Sequence, residues 1–211
     1  MNALRLAALL VLIAGAARAD APEPVDHFRR YIGSAYHTAV LKGLVASQER
    51  SLAPACKNPV LKARLGQWPL RPVAFSADSA HPTAGVWQER LRVDRCGRLV
   101  LHNYLFEARP GLPPSALPLA PGRSQADARL QRDLMPALAT AAAKNRPPCD
   151  DVRVTDTLLD AVSVPPEGDA AGRLLRGAWR ESWSLDRCGA PLTLTVDFTA
   201  DGSGRIAFDI R

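Results

Sequence analysis

The stretch GVWQERLRVDRCG, from Gly85 to Gly97, returns as GAWRESWSLDRCG from Gly177 to Gly189, with seven of the thirteen positions identical. Two upstream cysteines, Cys56 and Cys149, recur at nearly the same offset from Cys96 and Cys188. A recurrence that keeps Trp, Glu and the run Asp-Arg-Cys-Gly reads as a duplicated, cysteine-pinned structural unit, because repeats preserve the positions that build each unit. No catalytic or cofactor motif accompanies it.

The alternation inside the repeat fixes the type of element. Trp87, Glu89, Leu91 and Val93 share one side of an extended chain, as do Trp179, Glu181, Trp183 and Leu185, while Gln88, Arg90 and Arg92, or Arg180, Ser182 and Ser184, share the other. One face is therefore packed and one wet. Gly97 and Gly189 supply the left-handed backbone that the following tight reversal needs. Further strands are expected at 60–65, 99–106, 152–159, 192–198 and 205–210.

Upstream of the first strand in each unit, apolar residues recur at helical spacing. Phe28, Ile32, Tyr36, Val40 and Leu44 predict one helix from Asp26 to about Gln48, with Ser34 in its interior. Leu130, Leu134, Leu138 and Ala142 predict a second, capped by Ser124 and kinked by Pro136. Between the units, residues 111–123 lie in a stretch whose prolines resist both helix and ladder, and this segment reads as a Pro-rich linker. The fold class is thus α+β: two tandem repeats, each a helix followed by a small antiparallel sheet closed by one disulfide. The first covers residues 20–110 and the second 124–211.

Residues 1–19 have a different character. Arg5, an apolar run from Leu6 to Ala14, and Ala17-Arg18-Ala19 before Asp20 make the layout of a secretory signal peptide. The expected address is periplasmic or secreted, with Asp20 as the mature N-terminus. No later stretch reaches the roughly 20 uninterrupted apolar residues of a membrane helix. Of 27 basic side chains Arg5 and Arg18 would leave with the leader, so 25 remain against 21 acidic ones, a scattered excess of +4. That pattern is not an electrostatic footprint for nucleic acid. In an oxidising compartment four cysteines read as two disulfides, and the duplication selects Cys56–Cys96 and Cys149–Cys188 from the three possible pairings. Without Cys-x-x-Cys or histidines at ligand spacing, neither a metal nor a cofactor is expected.

Side chains with potential chemistry come from the repeat itself. Glu89 and Glu181 share a face with indoles and aliphatics, so each needs a hydrogen-bond partner or carries a raised pKa suited to a general acid. Trp87, Trp179 and Trp183 are core residues or, if exposed, the lining of a groove. Arg95 and Arg187 flank a half-cystine and either bind an anion or pair with Asp94 and Asp186. His37 and His102 read as partly exposed surface residues. No G-x-S-x-G elbow, H-E-x-x-H helix or phosphate loop is present. The expected function is a noncatalytic binding or interaction module for an envelope or extracellular protein or a cell-surface polymer. The alternative is an envelope polysaccharide hydrolase using Glu89 and Glu181, which requires both carboxylates in one open cleft about 5 to 10 Å apart.

Overall fold

The computed structural model describes residues 24–52, 55–144, 146–169 and 173–211. The leader lies outside these residues. Three helices and eight strands follow in the order α1 (Pro24–Gly33), α2 (Ala35–Ser51), β1 (Val60–Ala74), β2 (Ala84–Arg95), β3 (Arg98–Arg109), β4 (Leu112–Leu119), α3 (Ala128–Ala143), β5 (Val152–Gly168), β6 (Leu174–Arg187), β7 (Ala190–Asp201) and β8 (Ile206–Ile210). They form two four-stranded antiparallel sheets, ordered β1-β2-β3-β4 and β5-β6-β7-β8. The disulfides are Cys56–Cys96 and Cys149–Cys188, with Cα separations of 5.8 and 6.2 Å. No described helix is long and apolar enough to cross a membrane.

Each sheet buries the face that carries the repeated tryptophan. In the first, Trp87, Leu91, Val93, Tyr104 and Phe106 pack with Tyr31, Leu41 and Val45 of the helices. In the second, Trp179, Trp183, Leu185, Val196 and Phe198 pack with Leu130, Leu134 and Leu138 of α3. Removing one such large apolar side chain from water contributes about 1.5–3 kcal/mol, so helix and sheet hold each other. Trp87 stacks on Phe106 directly across the β2–β3 ladder, centroids 5.1 Å apart, and Trp179 stacks on Phe198 across β6–β7 at 4.8 Å.

The hairpin after the repeated strand is a two-residue turn. Arg95 pairs with Arg98 around Cys96-Gly97, and Arg187 with Ala190 around Cys188-Gly189. Both residues of each turn have positive φ, Cys96 50° and Gly97 88°, Cys188 49° and Gly189 83°, which matches the right-handed twist of the strands. Asp94 and Asp186 accept from the backbone N–H of Gly97 and Gly189 at 2.8 and 2.9 Å. The donation from Gly97 holds the Asp94 carboxyl below its usual pKa range.

Three sequence expectations change. The first helix is two helices: Ser34 is extended (φ −70°, ψ 155°), and its hydroxyl accepts from His37 N–H, so it caps α2 rather than lying in a helix interior. The cap of α3 is Asp127, whose side chain accepts from Leu130 N–H, and Ser124 instead accepts from Ala126 N–H. The Pro-rich segment 111–123 is not a bare linker, because Leu112–Leu119 is β4, pairing with β3 from Asn103↔Leu119 to Arg109↔Leu112. An edge strand needs ladder bonds on one side only, which is why prolines are tolerated there.

After β4 the chain runs through residues 120–126 and joins the two sheets. Gly122 N–H donates to Leu101 of β3, and the next N–H, of Arg123, donates to Thr157 of β5. Asn103, 3 % exposed, donates to the carbonyls of Ala120 and Gly122, while Thr157 donates to Pro121. Gly122 has φ +97°, and a Cβ there would collide with the Thr157 backbone. Only glycine allows this approach.

Candidate functional site

Glu89 and Glu181 occupy equivalent places in their sheets and are each 0 % exposed. Glu89 Oε1 accepts from the Trp87 indole at 2.9 Å and lies 2.6 Å from His37 Nε2. Its Oε2 has no hydrogen-bond partner among the described residues. Glu181 is held by both oxygens: Trp179 and Gln125 N–H donate to Oε1 at 2.8 and 2.6 Å, and Trp183 donates to Oε2 at 2.9 Å. Burial still pushes the Glu181 carboxyl above its usual pKa, against the pull of these donors. Each carboxylate is buried beside the tryptophan of its own core, Glu89 in the first and Glu181 in the second, whereas the hydrolase alternative requires both in one open cleft.

The other sequence candidates are buried or, for Arg95, half-buried. Trp87, Trp179 and Trp183 are 0–2 % exposed. Arg95 reaches back to Glu49 of α2, Nε to Oε2 2.5 Å, rather than to Asp94. Arg187 is buried and donates to the Pro147 carbonyl. His37 and His102, expected near the surface, are 0 % exposed. His102 Nε2 lies 2.9 Å from Glu49 Oε1, and its Nδ1 lies 3.3 Å from the Tyr104 hydroxyl. Burial lowers its pKa, partly offset by the Glu49 charge. Both histidines are buried because each lies within hydrogen-bond distance of a buried glutamate, His37 of Glu89 and His102 of Glu49, and His37, Leu41 and Val45 lie one turn apart on the buried side of α2.

What remains open is a groove of about 710 Å³ on the other face of the first sheet. Trp68, Gln88 and Arg90 line it from the strands, and Gln125, Arg129 and Arg173 from the second half of the chain. Trp68 is the tryptophan outside the repeat, and it is 43 % exposed. Its indole lies across Gly66, where a Cβ would sit 2.5 Å from Trp68 Cζ2. The Arg90 guanidinium is 5.5 Å from the ring centroid, in cation–π range.

Arg90 is half-buried, and its Nε donates to Asn103 Oδ1 at 2.8 Å. Burial, then the neighbouring Arg123 charge, lowers its pKa. Neither Arg90 nor Arg123 has a carboxylate partner among the described residues, whereas the rim arginines do: Arg71 with Glu107, Arg129 with Asp133 and Arg173 with Asp169. A larger space of about 950 Å³ lies toward α2 and β5. Its arginines, Arg129, Arg132 and Arg153, each pair with Asp133 or Asp151. No cluster of three or more metal-ligating side chains occurs among the described residues. The chain matches no protein-family model, no curated protein and no solved structure.

Proposed function

We propose that this chain is an exported, noncatalytic binding module made of two copies of one unit, and that it takes an anionic envelope or extracellular partner in the groove over the first sheet. The observation that carries this reading is Arg90: a half-buried guanidinium packed against an exposed indole at an open groove, with no carboxylate partner among the described residues. Half-burying a guanidinium without a carboxylate is unfavourable, and an anion from outside relieves it. The export part rests on the leader pattern and on two disulfides of the kind that persist in oxidising compartments. The two-copy part rests on the shared strand order, the opposed Trp–Phe stacks and the identical Cys-Gly turns.

The test is affinity capture from envelope extract with the chain beginning at Asp20, set beside its Arg90→Glu variant. The wild-type chain retains an anionic component, and the variant, with an unchanged circular dichroism spectrum, loses it. Equal retention by both, or retention of nothing by either, removes the groove as the binding site.

A further inference from the structure

We propose that the ligand of this groove is an acidic oligosaccharide, a chain of sugar rings bearing carboxylate groups; this rests on the groove being the binding site. Three features of the surface carry it. First, the most exposed apolar side chain of the groove is one indole, laid along the sheet over Gly66. A flat aromatic face matches the C–H face of a pyranose ring. Second, the aliphatic side chains around it are buried or half-buried: Val86 and Leu119 are 7 % exposed and Ala126 5 %, while Leu70, Leu105 and Leu174 are half-buried. The indole is therefore the broadest apolar surface on offer. Third, Gln88 and the exposed Gln125 line the groove among the arginines, offering amide donors and acceptors to hydroxyl groups.

Charge sets the remaining property. Arg90 is the inner cation, fixed by Asn103 through Nε, so its terminal nitrogens stay available to a carboxylate in a two-bond clasp. A neutral sugar would leave that guanidinium as it is. A carboxylate would compensate it.

The experiment is titration calorimetry of the chain from Asp20 with three probes: an oligogalacturonate, a neutral galactose oligomer of the same length, and oligoglutamate of matching charge. The expected result is that the oligogalacturonate binds at least about tenfold more tightly than either of the others, and more weakly as salt rises. Arg90→Gln weakens it about tenfold or more, since a charge-assisted hydrogen bond accounts for such a ratio, and Trp68→Ala weakens it about tenfold through loss of the aromatic contact. Gly66→Ala, which forces the indole off the sheet and changes no charge, weakens the oligogalacturonate and leaves oligoglutamate unchanged. Equal binding of oligoglutamate, indifferent to Trp68→Ala, overturns the saccharide and leaves a general anion site. Binding of the neutral oligomer at the same strength overturns the acidic requirement. Binding of no probe overturns the saccharide; if capture from extract still depends on Arg90, the groove stands, and if it does not, both readings fall.

Discussion

Glu89 and Glu181 stand at the same place on β2 and β6, beside the same indole–phenyl stack, and are held in different ways. In the first half the covering element is the first turn of α2, where the His37 N–H is taken by the Ser34 hydroxyl, and the His37 side chain meets the carboxylate instead. In the second half the chain passes the carboxylate as the loop before α3, and a free backbone N–H, that of Gln125, points at it. Two residues along the strand the exchange is mirrored: Trp183 adds an indole donor to Glu181, where Leu91 has none to give Glu89. The strand position demands a buried acceptor with donors around it. Which atoms donate depends on what the neighbouring element has left over.

The largest test of the likeness between the halves is the crosslinks. The sequence separations are 40 and 39, and chain entropy assigns about 4 kcal/mol to each loop of this size. Cys56→Ser and Cys149→Ser, measured by denaturant unfolding, are expected to cost nearly the same. A loss confined to one of them would mean that the units do not depend alike on their bridges.

A smaller effect separates the carboxylates themselves. An amide has one oxygen and one N–H₂ group. At residue 89 a single oxygen, Oε1, already takes both contacts and Oε2 has no partner among the described residues, so Glu89→Gln can keep both and is expected to cost less than about 1 kcal/mol. At residue 181 both oxygens accept, and the new N–H₂ would face the Trp183 N–H. Glu181→Gln is expected to cost about 1–3 kcal/mol. Equal losses by thermal unfolding would show that the difference in partners carries no energetic weight.

How far the sequence reached follows the same division. Strand alternation and hairpin turns were legible because period-two burial and a Cys-Gly turn are local signals, and the disulfide partners because the duplication selects one pairing. The break at Ser34 was not, since a serine after glycine fits a helix interior as well as a cap. That break moves the buried stripe from Tyr36, Val40 and Leu44 to His37, Leu41 and Val45, leaving Tyr36 45 % exposed. Strand β4 was hidden by its prolines, whose tolerance depends on the edge position that only the sheet order supplies. The repeat drew attention to its own indoles, which are core, and away from Trp68, which is not. The groove is built from segments far apart in sequence, Trp68 and Arg90 on one side and Gln125 and Arg173 on the other, and no spacing rule links them.

Acid gives the smallest effect and the sharpest contrast, because the halves are expected to respond with opposite sign. His102 has a folded pKa below its usual 6.5, so below that pH the unfolded chain takes up a proton that the native first half refuses. Stability of that half therefore falls as pH drops through 6.5 toward the folded value, with a slope of at most about 1.4 kcal/mol per pH unit for one proton. Glu181 has a folded pKa above its usual 4.5, so its contribution is fully present below 4.5 and is lost as pH rises through the raised value. Moving from pH 7 toward 5 thus costs the first half and favours the second. The second half contains no histidine to oppose this, since the four histidines are His27, His37, His81 and His102. Hydrogen exchange at pH 7 and pH 5, corrected for intrinsic rates, should show protection falling in β3 and holding or rising in β6. His102→Gln should flatten the first response and Glu181→Gln the second. Parallel changes in both strands, unaffected by either substitution, would mean that these two buried groups do not set the acid response, and that the halves titrate as one body.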